Sequence, residues 1–251
     1  MFDVAAEAYD AFMGRYSTPL ASRFCDFAGI GSEQRVLDVG CGPGALTSEL
    51  VGRLGSAAVS AVDPSEPFVE AARARHPGVD VRHASAERLP FDADEFDAAL
   101  AQLVVHFMDD PLAGLREMSR VTRADGVVAA CVWDHAGAQG PLSRFWDAAR
   151  ELDPEVRDES RLAGAREGHL AELLEQVGLG EIEETLLSVS VEHTSFEEWW
   201  QPFTFGVGPA GAYLAALDDD QRLRLRELCR ERSPGEGMTV TAGAWAARGV
   251  A

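Results

Sequence analysis

One stretch of the chain combines backbone freedom with charge in a way that suits a small ligand. Val36-Leu37-Asp38-Val39-Gly40-Cys41-Gly42-Pro43-Gly44 leads from an apolar run into closely spaced glycines. Glycine lets the backbone turn sharply and lets a ligand approach the main chain. About 20 residues further on, Val62-Asp63 supplies a carboxylate that can accept both hydrogen bonds of a ribose diol. Gly40-x-Gly42-x-x-Ala45 also satisfies the looser dinucleotide fingerprint, which keeps a nicotinamide-dependent oxidoreductase as an alternative. Further along, Leu103-Val104-Val105-His106-Phe107 contains a candidate general base, His106, for an acceptor hydroxyl or acidic carbon. A packed histidine bonded to backbone is the plainer account of it.

Asp38 separates the ligand classes. A carboxylate beside a pyrophosphate is repulsive, whereas beside an ammonium and a sulfonium it is attractive. S-adenosylmethionine carries both cations. A turn-capping role is the other reading of Asp38, but a buried strand-end acid without a partner is costly. No metal is expected. Asp109-Asp110 reads as a helix cap before Pro111, and Cys25, Cys41, Cys131 and Cys229 are scattered with no Cys-x-x-Cys pair. The same scatter indicates no disulfide framework and suits a reducing, cytoplasmic setting.

These groups need strands and helices to position them. Short apolar runs at Val36–Val39, Ala57–Val62, Val79–His83, Phe96–Leu100 and Val127–Val132 read as strands. Between them, helices are expected from Gly44 to Leu54, through Phe68–Arg75 after Ser65, and after Asp110-Pro111 with Leu112, Leu115, Met118 and Val121 at helical spacing. Thr18-Pro19 reads as an N-cap and first-turn proline of a helix running toward Gly29. Strands that are continuously apolar and alternate with helices indicate an α/β fold, with a parallel sheet covered on both faces.

The second half changes character. Gly137–Gly140 and Gly206–Gly211 read as loops. Glu167–Val177 and Asp218–Arg232 read as helices, and Ile182–Val191 and Met238–Ala246 as strands. Ser195-Phe196-Glu197-Glu198 is a capping box opening an aromatic helix, whose Trp199, Trp200 and Phe203 are candidates to roof an apolar substrate pocket or to form core. The expected organisation is a single domain over 1–251, with a cofactor-binding core at about 30–135 and a substrate-side insertion and lid at about 137–235.

Charge narrows the partners. A net charge of -20 repels a phosphate backbone and an anionic membrane, and the arginines of 222–232 are interrupted by acids. No apolar run reaches the length of a membrane span. Met1-Phe2-Asp3-Val4-Ala5-Ala6-Glu7 is acidic and lacks the basic start of a signal peptide. A small-molecule substrate is therefore expected, with no nucleic acid and no membrane, acted on by a monomer or homodimer.

Val36–Gly44 resembles the first motif of class I S-adenosylmethionine methyltransferases, and Val62-Asp63-Pro64-Ser65 resembles their second. Ala84-Ser85-Ala86-Glu87-Arg88-Leu89-Pro90-Phe91 and Phe96-Asp97-Ala98-Ala99-Leu100 are similar to their third and fourth. The likeness runs from about Val36 to Val132 and is nearest the small-molecule group that includes ubiquinone and menaquinone C-methyltransferases. It implies a doubly wound, Rossmann-like, mostly parallel seven-stranded sheet with an antiparallel last strand, N-terminal cap helices and an inserted lid. Its cofactor would be S-adenosylmethionine, leaving S-adenosylhomocysteine. Asp38, Gly40, Cys41, Gly42 and Gly44 would hold the methionine end. Asp63 would take the ribose, Pro64 and Phe68 would lie near the adenine, and Ala86 and Glu87 along its edge. Gln102 would close over the cofactor, with Arg15 and Tyr16 of the N-terminal segment reaching its carboxylate. The sequence Ala101-Gln102-Leu103-Val104 lacks the Asn/Asp-Pro-Pro-Tyr/Phe of amino-methylating DNA enzymes, and no Pro-Cys pair occurs. The same fold acting as a catalytically silent cofactor-binding module is a second reading.

Overall fold

The structure, a computed structural model, describes residues 6–233 and 237–251. The signal-peptide reading of Met1–Glu7 therefore rests mostly outside the described residues, as does the end of the expected insertion at 234–235. Strands β1 (Val36–Val39), β2 (Val59–Asp63), β3 (Asp80–His83), β4 (Phe96–Gln102), β5 (Thr122–Trp133), β6 (Gly180–His193) and β7 (Met238–Val250) form one sheet. Its order is β3-β2-β1-β4-β5-β7-β6. The pairs among β1 to β5 are parallel, and β7 runs antiparallel to both β5 and β6. This is the expected mixed α/β sheet with an antiparallel last strand. The strand order reverses between β1 and β4, and the carboxyl ends there open a crevice of the kind in which such sheets bind ligands.

The helices are α1 (Ala6–Tyr9), α2 (Arg15–Ala28), α3 (Ala45–Leu54), α4 (Glu66–Arg75), α5 (Pro111–Val121), α6 (Ser143–Leu152), α7 (His169–Gln176), α8 (Phe196–Trp200), α9 (Gly208–Ala216) and α10 (Asp219–Glu231). They cover both faces of the sheet. In β4, Ala98 and Leu100 join the core beneath α2 and α3, while Ala99 and Ala101 join the core beneath α5 and α7. A strand buried on both sides has no polar face, which is why these runs are continuously apolar.

Local chemistry sets most ends. Asp110 caps α5 by accepting a hydrogen bond from the Ala113 N–H at 3.0 Å. Gly29 ends α2 in the left-handed region, with φ of 72°. Asp218 and Gln221 form a complete reciprocal capping box at α10.

Four expectations need correction. Helix α2 begins at Arg15, so Pro19 lies inside it and Thr18 is not its cap. A π-helical turn, Asp10–Gly14, buries Phe12 and Met13 and feeds directly into α2, so the helix is already under way when it reaches Thr18. The run Gly208–Ala216 is a helix and not a loop. A Cβ on Gly211 would lie 2.6 Å from the Gly206 backbone, so that glycine serves close packing. Strand β2 starts at Val59, after a 3₁₀ turn over Ser56–Ala58. At α8, Ser195 accepts from the Glu198 N–H at 3.2 Å, but the Glu198 carboxylate reaches back to Thr194 rather than to Ser195.

Candidate active site

A cavity of about 650 Å³ lies over the carboxyl ends of β1, β2 and β4. Its floor is the turn between β1 and α3. The Gly40 and Cys41 N–H groups both donate to the Val62 carbonyl, at 2.8 and 2.9 Å, which ties the turn to β2. Gly40 has φ of 71°, and a Cβ there would sit 2.5 Å from Val104. Gly44 has φ of 103°, and its Cβ would meet His76 at 2.7 Å. The positive φ calls for glycine at both positions, and at Gly40 the lack of space does so as well. Gly44 shapes the turn without lining the cavity.

Two carboxylates point into this frame. Asp38, at the end of β1, is 1% exposed, and its Oδ2 accepts from the Thr47 hydroxyl at 2.6 Å. Burial pushes the Asp38 carboxyl up to about 7; the Thr47 hydrogen bond works against that rise and the nearby Asp63 adds to it. Asp63, at the end of β2, accepts from the Ser65 N–H through Oδ1 and from the Gly42 N–H through Oδ2, each at 2.8 Å. Burial still raises its pKa above the usual carboxylate range, against those two bonds. One backbone bond per oxygen leaves each a further lone pair for a ligand hydroxyl.

The rest of the wall comes from the segments that follow β2, β3 and β4, from the end of β4 itself and from the N-terminal helical segment. Pro64, Phe68, Ala86, Glu87 and Gln102 all line the cavity, as do Gly40, Cys41 and Gly42. Gln102 Nε2 donates to the Ser17 carbonyl at 3.1 Å, while its Oε1 is buried with no hydrogen-bond partner. Glu87 Oε1 accepts from the Asp109 N–H at 3.0 Å and so steadies the segment after β4. The Cys41 thiol is held well above its usual range by burial, which keeps it protonated.

Other predicted residues are placed elsewhere. Arg15 and Tyr16 do not line the cavity. Arg15 pairs with Glu198 at 2.8 Å and donates to the Glu192 carbonyl at 3.0 Å, and Tyr16 Oη lies 2.8 Å from His193 Nε2. They fasten α2 to the end of β6 and to α8. Trp199, Trp200 and Phe203 are buried in the core and do not touch the cavity. Phe203 stacks on Phe145 with centroids 4.6 Å apart and edges onto Phe12 at 5.2 Å. His106 is 8% exposed and absent from the wall, although Val104 and Phe107 are on it. Burial, with His135 nearby, holds its pKa well below the usual histidine value, so it is a weak base.

Sequence reading missed Tyr9 and the apolar run Leu103, Val104, Phe107 and Met108, all of which line the cavity. Tyr9 edges onto Phe68 with centroids 5.4 Å apart. The π-helical turn after Tyr9 breaks the 3.6-residue phase, so helical spacing from α2 cannot place it. Leu103 has φ of 61°, a left-handed conformation that is rare for a bulky residue and here turns the chain at the cavity edge.

Residues 37–130 match the model of a methyltransferase domain. This segment runs from β1 into β5, and over it the chain is similar to methyltransferase domains. It is 39% identical over 113 residues to the malonyl-[acyl-carrier protein] O-methyltransferase of Salmonella typhimurium, covering 45% of this chain and 44% of that protein. It is 31% identical over 139 residues to the ubiquinone/menaquinone biosynthesis C-methyltransferase of Citrifermentans bemidjiense, covering 51% and 59%. The chain thus spans about half the length of these curated relatives. Among solved structures, Haemonchus contortus phospholethanolamine N-methyltransferase 2, in complex with phosphomonomethylethanolamine and S-adenosylhomocysteine, superposes with a TM-score of 0.60. That likeness covers 98% of this chain and 56% of the other at 16% identity, so it is a likeness of fold. Among the described residues, no helix is long and apolar enough to cross a membrane.

Proposed function

We propose that the protein transfers the methyl group of S-adenosylmethionine to a small, neutral or apolar acceptor. The observation that carries this reading is Asp38, a carboxylate almost fully removed from water at the edge of a glycine turn. A cationic ligand compensates such a group and a pyrophosphate aggravates it, which also disfavours the nicotinamide reading. The unpartnered Gln102 Oε1 is a second acceptor suited to a cationic, donor-rich ligand.

The residues fit the cofactor group by group. Asp38 and the Gly40–Gly42 backbone would hold its methionine end. Asp63, with one lone pair of each oxygen already committed, would accept from the ribose hydroxyls. Phe68 and Tyr9 would flank the adenine, with Ala86 and Glu87 along its edge. When bound, the cofactor supplies an electrophilic methyl on a sulfonium. The chain's own contribution is alignment and exclusion of water by Leu103, Val104, Phe107 and Met108. No general base is assigned, because His106 is off the wall and weakly basic.

The acceptor atom in this reading is oxygen, nitrogen or carbon; the curated relatives named above are an O-methyltransferase and a C-methyltransferase. The net charge of -20 supports a neutral acceptor over a polyanion. Four free, buried cysteines support a reducing, cytoplasmic setting. The substrate-side role belongs in this proposal to the segments between β5 and β7. Calorimetric titration with S-adenosylmethionine tests the reading, with Asp63→Ala as control. Micromolar binding that the variant loses is the expected result. A folded protein that binds NADH and not S-adenosylmethionine would sink it, and cofactor binding without turnover on any small acceptor would leave a silent binding module.

A further inference from the structure

Beneath the cavity wall lies a second cluster of polar side chains that methyl transfer does not use. His106 stands in the 3₁₀ turn after β4, His135 in the loop after β5, and Glu159 at the start of a 3₁₀ turn between α6 and α7. One ring nitrogen of each histidine and one carboxylate oxygen of Glu159 lie within 4.8 Å of one another, and all three residues are buried. His135 Nε2 is 4.0 Å from Glu159 Oε1. The imidazoles of His106 and His135 have centroids 6.0 Å apart.

Their hydrogen bonding is incomplete. His106 Nδ1 and His135 Nε2 are both buried without a partner. Glu159 Oε2 accepts from the Trp146 indole N–H at 2.9 Å, which leaves Oε1 turned toward His135. Buried polar atoms are nearly always satisfied, so two orphaned imidazole nitrogens beside one carboxylate call for a shared partner. A divalent cation, which accepts electron pairs from all three, is such a partner.

We propose that His106, His135 and Glu159 bind one divalent transition-metal ion of the zinc class. Two imidazoles and a carboxylate suit zinc, iron(II) or cobalt(II) rather than the all-oxygen ions magnesium and calcium. Metal–ligand bonds of about 2.0–2.2 Å require the three donors to close by roughly an ångström, within the reach of side-chain rotation. The surroundings are built to hold the ligands. Asp134 Oδ1 accepts from the Gly137 N–H and Oδ2 from the Gln139 side chain, each at 2.8 Å, so the loop bearing His135 is fixed. Trp146 orients Glu159 in the same way.

Three protein ligands leave a coordination position for water or another oxygen donor. Because His106 lies between Val104 and Phe107 of the cavity wall, the ion would join the ends of β4 and β5 directly under the candidate active site. The sequence cannot announce this set, since its members lie in three separate connections and form no metal-binding motif.

The test uses the full chain, stripped with a chelator and dialysed against Zn²⁺, with bound metal counted by mass spectrometry. Cobalt(II) substitution reports the ligand field through its visible absorption. One equivalent of zinc is expected, displacing cobalt from a site of low symmetry. Glu159→Gln keeps an acceptor for Trp146 and should fold. It and His135→Gln should each weaken zinc binding by about a hundredfold or more, with unchanged circular dichroism. Folded wild-type protein that binds no metal overturns the site, and metal retained equally by both variants places it elsewhere. Neither outcome depends on methyl transfer, because no cofactor enters the measurement.

Discussion

Asp38 is 1% exposed and has the Thr47 hydroxyl as its hydrogen-bond partner, so its charged form is expensive in the free protein. Its folded pKa, about 7, lies above the ordinary carboxylate value. A raised folded pKa contributes stability that is fully present below the unfolded value and is lost as pH rises through the folded one. Asp38→Asn is neutral throughout and escapes that loss. Between about pH 5 and about pH 8, the wild type should therefore lose stability relative to Asp38→Asn, read as the difference in urea midpoints. The same variant should bind S-adenosylmethionine more weakly at about pH 8, by tenfold or more. Wild-type affinity should fall as pH drops below about 7, because a cation then has to displace a proton from Asp38. An affinity that is flat across this range in the wild type would remove Asp38 from the cofactor site. The chemistry of Asp38 was legible in the sequence because type and position coincide there, a lone acid at the end of an apolar strand just before glycines.

Helices α6 and α8, the turn that follows α8 and the N-terminal turn pack as one aromatic body. Phe203 stacks on Phe145 and lies 5.0 Å from Trp199, 6.0 Å from Trp200 and 5.2 Å from Phe12, by ring centroids. This ties α6, α8 and the N-terminal turn together around residues that do not reach the cavity. Phe203→Ala should accordingly cost about 3–5 kcal/mol of unfolding free energy, seen as a lower urea midpoint. Affinity for S-adenosylmethionine should change little in the fraction that remains folded. A variant of unchanged stability but weakened acceptor affinity would instead give Phe203 the roofing role that its position in the sequence also allowed. The aromatic run named a packing element without naming its surface. Core and pocket demand the same side chains, and only the neighbours distinguish them. The loop expected at Gly206–Gly211 failed for a related reason: Gly211 is needed where α9 meets the Gly206 backbone, and Ala210 and Leu214 are buried in that helix.

Across the whole molecule, the site is assembled from the ends of β1, β2 and β4 together with the N-terminal helical segment. A ligand bridging these parts stabilises the folded state by mass action. S-adenosylmethionine at about a hundredfold excess over its dissociation constant should raise the thermal midpoint by roughly 5–10 °C. Asp63→Ala should abolish most of that shift, measured by differential scanning fluorimetry at neutral pH. An equal shift in the variant would move the ligand away from the β2 end. The net charge of -20 sets a background of self-repulsion that the many surface ion pairs relieve only in part, since exposed pairs contribute little each.

By itself the sequence determined the alternation of strands and helices, the glycine turn and the acids at the ends of β1 and β2. Each of these is local: one short segment carries both the backbone geometry and the ligand chemistry, so spacing is enough. The tertiary structure decided what depends on distant segments meeting. It turned Arg15 and Tyr16 toward His193 and Glu198, brought Tyr9 onto Phe68, and drew His106 off the wall to face His135 and Glu159. No periodicity encodes those meetings, because they follow from how finished elements pack and from a single π-helical turn that resets the phase of α2.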